Sequence, residues 1–90
     1  MKHVEGENKG NVLLYAISTC GWCKKTKKLL QELNVAYDYI DVDLLDKGEK
    51  EEIKDEVRQC NSKVSYPTLK INDECIIGFK EQKIRGAIKK

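Results

Sequence analysis

The chain divides into segments by the period of its apolar positions. Val12-Leu13-Leu14-Tyr15-Ala16-Ile17 is a short, unbroken apolar run. It predicts a strand over residues 11–17 that is covered on both faces. After Ser18-Thr19-Cys20 the period changes. Thr26, Leu29, Leu30 and Leu33 fall at i, i+3, i+4 and i+7, one stripe of a helix over residues 21–33 that Asn34 stops. Tyr37, Tyr39, Ile40 and Val42 mark a second strand over residues 35–42. A helix between two such strands fits a right-handed crossover and a parallel pair. Asp46-Lys47-Gly48-Glu49 has the form of a capping box. The helix after it aligns Ile53, Val57 and Cys60 on one face.

Residues 61–65 form a polar connector. Residues 66–71 read as a third strand that opens with the single proline, Pro67. Asn72-Asp73-Glu74 is a hairpin turn leading to a fourth strand at residues 75–77. Ile84, Ala87 and Ile88 lie on one face of a last helix. The expected order is β-α-β-α-β-β-α. Residues 1–10 are polar, contain two glycines and lack periodicity, so they are expected to be a flexible tail before one domain over residues 11–90.

Composition narrows the class. Ninety residues with 40% hydrophobic and 36% charged positions make one domain with a modest core. A net charge of +2 gives no ground for a nucleic-acid partner or a membrane surface. No apolar run nears the roughly 18–20 residues that span a bilayer. The apolar run at residues 12–17 is shorter than a signal-peptide core of about 7–15 residues. A cytoplasmic monomer is expected. Between Asp41 and Glu56 eight acids face three lysines. This is read as a solvated face that also helps orient a basic partner.

The candidate chemistry lies at Cys20-Gly21-Trp22-Cys23, where a strand delivers a Cys-x-x-Cys pair to a helix start. In a reducing compartment such a pair is catalytic or metal-binding. Disulfide exchange needs an attacking thiolate and a second thiol to resolve the mixed disulfide. Helix N-termini and cationic neighbours lower a thiol pKa from about 8.5 to roughly 3.5–7.5. Cys20, at the helix start, is the expected nucleophile, and Cys23, one turn further in, the resolving thiol. Thr19, Gly21, Lys24 and Lys25 are supporting candidates, the two lysines through their positive charge. Lys24, Lys25, Lys27 and Lys28 crowd the first turns without an acid, against the preference of the helix dipole. Such a misfit is either a solvated lysine face or a mark of function. Trp22 offers an apolar docking surface. Cys60 and Cys75 are read first as buried structural cysteines. A Cys60–Cys75 disulfide and a regulatory thiol are the alternatives. A Cα separation above about 7 Å would exclude the bridge.

Three segments resemble the glutaredoxins of the thioredoxin-fold superfamily: residues 15–23, which contain Cys20-Gly21-Trp22-Cys23; Tyr37-Asp38-Tyr39-Ile40-Asp41-Val42-Asp43; and Ser65-Tyr66-Pro67-Thr68-Leu69. The resemblance implies an α/β, thioredoxin-like fold, a four-stranded mixed sheet flanked by three helices. It implies a cis Pro67 facing Cys20, with Tyr66 and Pro67 binding an extended substrate strand. The implied activity is that of an electron carrier that reduces protein disulfides, with no bound cofactor and no metal. The sequence departs from the family's common pattern in three places. Cys-Gly-Trp-Cys replaces Cys-Pro-Tyr-Cys, Ile17 stands where many members have lysine, and Ile77-Gly78-Phe79-Lys80-Glu81 lacks a Gly-Gly followed by acids. Gly78-Phe79-Lys80 is similar to the redoxins that feed ribonucleotide reductase and are recharged by a thioredoxin reductase. A thioredoxin-reductase-type flavoprotein and glutathione are therefore the two expected reductants, and ribonucleotide reductase is one expected protein substrate. The rival readings are a soft-metal (copper) carrier and an iron–sulfur module using the same cysteines. Small copper carriers run βαββαβ, unlike the order expected here.

Overall fold

The computed structural model describes residues 1–89; the last residue of the expected domain, Lys90, lies outside them. In chain order the elements are Lys2–Val4 (β1), Val12–Ala16 (β2), Gly21–Glu32 (α1), Tyr37–Asp41 (β3), Lys47–Cys60 (α2), Thr68–Ile71 (β4), Glu74–Ile77 (β5) and Glu81–Lys89 (α3). A short 3-10 turn, Val42–Leu44, follows β3. The strands form one mixed sheet in the order β1-β3-β2-β4-β5. β2 and β3 run parallel, and the other neighbouring pairs are antiparallel.

The unbroken apolar run of β2 reflects its central place. One face buries Leu14 and Ala16 among Leu29 and Leu30 of α1 and Ile84 and Ile88 of α3. The other buries Tyr15 with Ile40, Val42 and Val57 of α2. Each of the buried leucines, isoleucines and valines among them stabilises the fold by roughly 1.5–3 kcal/mol. The fold is thioredoxin-like, with α1 and α3 on one face of the sheet and α2 on the other.

Local signals bound the elements as the sequence implies. The Asp46 carboxylate accepts the Glu49 N–H at 2.9 Å and caps α2. Asn34 has φ 55° after α1, and Asn72 has φ 54° in the β4–β5 turn. Asparagine tolerates this left-handed region better than most residues.

Two expectations are corrected. The sheet has five strands rather than four, because Lys2–Val4 pairs with Tyr37–Tyr39 where a flexible tail was expected. His3 Nδ1 meets the Asp38 carboxylate at 2.8 Å. Further along, Glu7 N–H donates to the Asn34 carbonyl at 2.8 Å and its own carbonyl accepts from Ala36 N–H at 2.9 Å. Gly6 passes so close to Val35 that a Cβ would stand 2.6 Å from a backbone atom. A three-residue polar edge strand carries no period of its own, and its partner strand defines it. The third expected strand also starts late, at Thr68 rather than residue 66. Pro67 has no N–H for the ladder, and the Ser65 carbonyl is taken by the Thr68 hydroxyl at 2.7 Å.

Candidate active site

β2 ends at Ala16, and four residues carry the chain to the start of α1. The Cys20 N–H donates to the Ile17 carbonyl at 3.1 Å, and its carbonyl accepts the Lys24 N–H at 3.2 Å. Cys20 is thus the N-cap of α1, in extended geometry. Its Sγ stands where a capping oxygen usually does and accepts the Cys23 N–H at 3.2 Å. The free N–H groups of a helix start point at negative charge. Both cysteines are free thiols. Cys20 is half-buried and Cys23 is fully buried. Burial pushes the Cys23 thiol up to about 12, and its hydrogen bond to Cys20 and the negative potential there add to this. A backbone hydrogen bond at Ile17 and the positive charge of Lys27 oppose it.

The other expected site residues are distributed around this pair. Trp22 is exposed and stacks on Phe79, with ring centroids 5.9 Å apart and planes 26° apart. Lys25 places its ammonium 4.4 Å from the Trp22 ring centre, on its face. Lys24, Gly21 and Thr19 are exposed on the same loop and first turn. The Tyr66–Pro67 bond is cis. A shallow cavity of about 250 Å³ is lined by Trp22, Tyr66, Pro67, Gly78 and Phe79. Gly78 holds φ 81° and donates its N–H to the Pro67 carbonyl at 2.8 Å. A Cβ at Gly78 would touch nothing, so the backbone angle rather than space calls for glycine there. The structure therefore brings Trp22, Tyr66 and Pro67 to one depression, beside the cysteine pair.

Three residues outside the expected site set also contribute. Asp43 accepts from the Ser18 N–H at 2.8 Å and from the Ser18 hydroxyl at 2.5 Å. These bonds hold its carboxyl below the usual range and tie the cysteine loop to the turn after β3. Lys27, one of four lysines read as either a solvated face or a mark of function, is largely covered. It pairs with Asp41 at 3.2 Å and lies 4.2 Å over the Tyr39 ring centre. Phe79 completes the apolar wall. Only the juxtaposition of distant segments reveals these roles, although Asp41 and Asp43 stood in a segment already singled out.

The cysteines read first as structural are the disulfide-bonded pair. Cys60 and Cys75 are joined, with Cα atoms 5.6 Å apart, and Cys75 is exposed. A buried role for both is thereby corrected, because Cys75 sits on the outer strand β5. Among the described residues, no group of three or more His, Cys, Asp or Glu side chains is placed to hold a metal ion. Among them, no helix is long and apolar enough to cross a membrane.

Fold and site together define a thioredoxin-like dithiol protein. A model of the glutaredoxin family matches residues 12–76, and the chain belongs to that family. The chain is 33% identical over 79 residues to an uncharacterized glutaredoxin-like 8.6 kDa protein in the rubredoxin operon of Clostridium pasteurianum, an alignment covering 88% of this chain and 99% of that one. It superposes on the glutaredoxin from Methanosarcina mazei with a TM-score of 0.91 and 53% identity, over 97% of this chain and 85% of that one. It superposes on Methanosarcina acetivorans methanoredoxin with a TM-score of 0.88 and 49% identity, over 92% and 88% of the two chains. Family and fold support thiol–disulfide oxidoreduction as the activity of the protein.

Proposed function

We propose that the protein is an electron carrier that reduces protein disulfides, with Cys20 as nucleophile and Cys23 as resolving thiol. The observation that carries this reading is the asymmetry of the pair. Cys20 is half-buried and its Sγ faces an N–H donor at a helix start, whereas Cys23 is buried and held protonated. The Cys20 thiolate attacks one sulfur of a substrate disulfide. That S–S bond breaks, the other substrate sulfur leaves as a thiolate, and a Cys20–substrate mixed disulfide forms. Cys23 then gives up its proton and attacks Cys20 Sγ. The Cys20–Cys23 disulfide forms, the second substrate thiol leaves, and two electrons have passed to the substrate.

The order of events has an electrostatic basis. While Cys20 carries charge, its hydrogen bond and its field both help hold the proton on Cys23. The mixed disulfide removes that charge. Lys27 and the Ile17 backbone then oppose burial alone, so Cys23 becomes easier to ionise at the step that needs it.

Trp22, Phe79, Tyr66 and Pro67 form the apolar depression on which the substrate segment rests, and Thr19, Gly21, Lys24 and Lys25 shape access to Cys20. The reductant is a thioredoxin-reductase-type flavoprotein or glutathione. A disulfide-containing protein such as ribonucleotide reductase is the acceptor, in the cytoplasm, and the carrier acts as a monomer. The test is a free-thiol count on protein oxidised at Cys20–Cys23, after incubation with NADPH and thioredoxin reductase or, separately, with glutathione. Recovery of both thiols on the peptide that carries Cys20 and Cys23, counted apart from Cys60 and Cys75, in either arm supports the carrier role and selects the reductant. Recovery in neither arm removes the carrier reading and returns the metal and cluster readings to the cysteine pair.

A further inference from the structure

The second cysteine pair lies at the base of the segment that carries Tyr66 and Pro67. Cys60 is the last residue of α2, and Cys75 lies on β5. Immediately after Cys60, the buried Asn61 side chain holds the segment together. Its Nδ2 donates to the Ser65 hydroxyl at 2.7 Å, with longer contacts of 3.4 Å to the Ser65 carbonyl and to the Thr68 hydroxyl. Its Oδ1 accepts the Lys63 N–H at 3.2 Å, and its carbonyl accepts the Val64 N–H at 2.9 Å. Three residues beyond Cys75, Gly78 donates to the Pro67 carbonyl. The bridge thus ties together the two frames from which residues 61–67 hang.

That segment contains a conformation that needs such support. Val64 has φ 51°. A β-branched side chain is unfavourable in the left-handed region and persists there only where its surroundings over-determine it. The surroundings are the Asn61 network and, through the adjacent Cys60, the bridge. The bridge itself is within reach of solvent, since Cys75 is exposed and Cys60 partly so. Exposed disulfides are the ones open to exchange.

We propose that Cys60–Cys75 is a second thiol–disulfide site, exchanging with low-molecular-weight thiols, and that its redox state sets the order of residues 61–67. A thiolate attacks the sulfur of the exposed residue Cys75. The S–S bond breaks and Cys60 leaves as a thiolate that takes a proton from water. A second thiol attacks the sulfur of the first and releases Cys75. Two electrons enter the protein and two thiols leave as one disulfide; the reverse sequence closes the bridge. A loosened 61–67 segment would dock substrate disulfides less well. That consequence rests on the docking role proposed above for Tyr66 and Pro67; the exchange chemistry does not.

The test uses the Cys20→Ser/Cys23→Ser protein, which removes the first pair and separates this proposal from the carrier reading. The protein is equilibrated in graded reduced and oxidised dithiothreitol, alkylated and mass-analysed, while amide hydrogen exchange is followed. Two thiols are expected to appear in one step with the fold retained. Exchange at residues 62–68 is expected to quicken at least tenfold, and at β2 and β3 to stay unchanged. Appearance of the thiols only on global unfolding overturns the proposal, and so does unchanged exchange at residues 62–68 once the bridge is open. If serine at position 23 prevents folding, Cys20→Ser alone serves, with Cys23 counted on its own peptide.

Discussion

Cys20 and Cys23 sit three positions apart at one helix start, as free thiols. Cys60 and Cys75 sit 15 positions apart, on a helix end and an outer strand, and are bridged. The first pair is unequal, one sulfur half-buried beside an N–H donor and the other fully buried. The second couples two elements that sequence order keeps apart. The difference teaches that the setting of a sulfur, rather than the presence of a second cysteine, separates two free thiols at one helix start from a bridge that cross-links two elements. A pair between elements acts on everything those elements hold.

The contrast breaks most completely at Cys20. Cys20→Ser is expected to reduce protein-disulfide turnover to the uncatalysed rate. Cys23→Ser is expected to stop turnover of the dithiol reaction while trapping a mixed disulfide visible by mass. Full-rate turnover by the Cys23→Ser protein would remove Cys23 from the resolving role. At the second pair the main effect is on stability. Cys60→Ser with Cys75→Ser removes a cross-link of 15-residue separation, a loss of about 3 kcal/mol in the chain-entropy account. Urea unfolding measures it, and an unchanged midpoint would deny the bridge any role in holding the fold.

Alkali sharpens the inequality within the first pair. The folded state holds the Cys23 thiol at about 12, against an ordinary value of 9.0. Between these pH values the unfolded chain releases this proton and the folded chain keeps it, so stability falls as pH rises through the window. Cys23→Ala is expected to flatten that part of the stability profile of the reduced protein. The profile must be compared with wild type, because Tyr15, raised to about 12 by burial and Glu56, titrates nearby. The smallest effect is expected at the docking wall. Trp22→Ala removes the stack on Phe79, worth about 0.5–1.5 kcal/mol beyond its area. A rise in KM of roughly two- to tenfold for a protein disulfide, with kcat unchanged, is the expected outcome. A change in kcat alone would point to Cys20 chemistry instead.

Much of this was legible in local patterns. β2 was marked by its unbroken apolar run, α1 by the spacing of Thr26, Leu29 and Leu30, and the start of α2 by Asp46 and Glu49. Cys20 and Cys23 were legible because their spacing and the helix start are local facts. The Cys60–Cys75 bridge was one of several open readings, since nothing near either cysteine points to the other. Asp43 on Ser18, Lys27 on Asp41 and Phe79 on Trp22 had no local signature.

By itself, then, the sequence determined the elements from β2 to α3, the crossover between β2 and β3, and the cysteine pair at the N-terminus of α1. Each depends on interactions within one turn of helix or one strand, which periodicity and caps record. Only the tertiary structure decided that Lys2–Val4 joins the sheet, that Lys27 is covered, and that Cys75 meets Cys60. Those outcomes depend on which surfaces the packed sheet leaves open, and residues far apart in the chain share no pattern that writes it down.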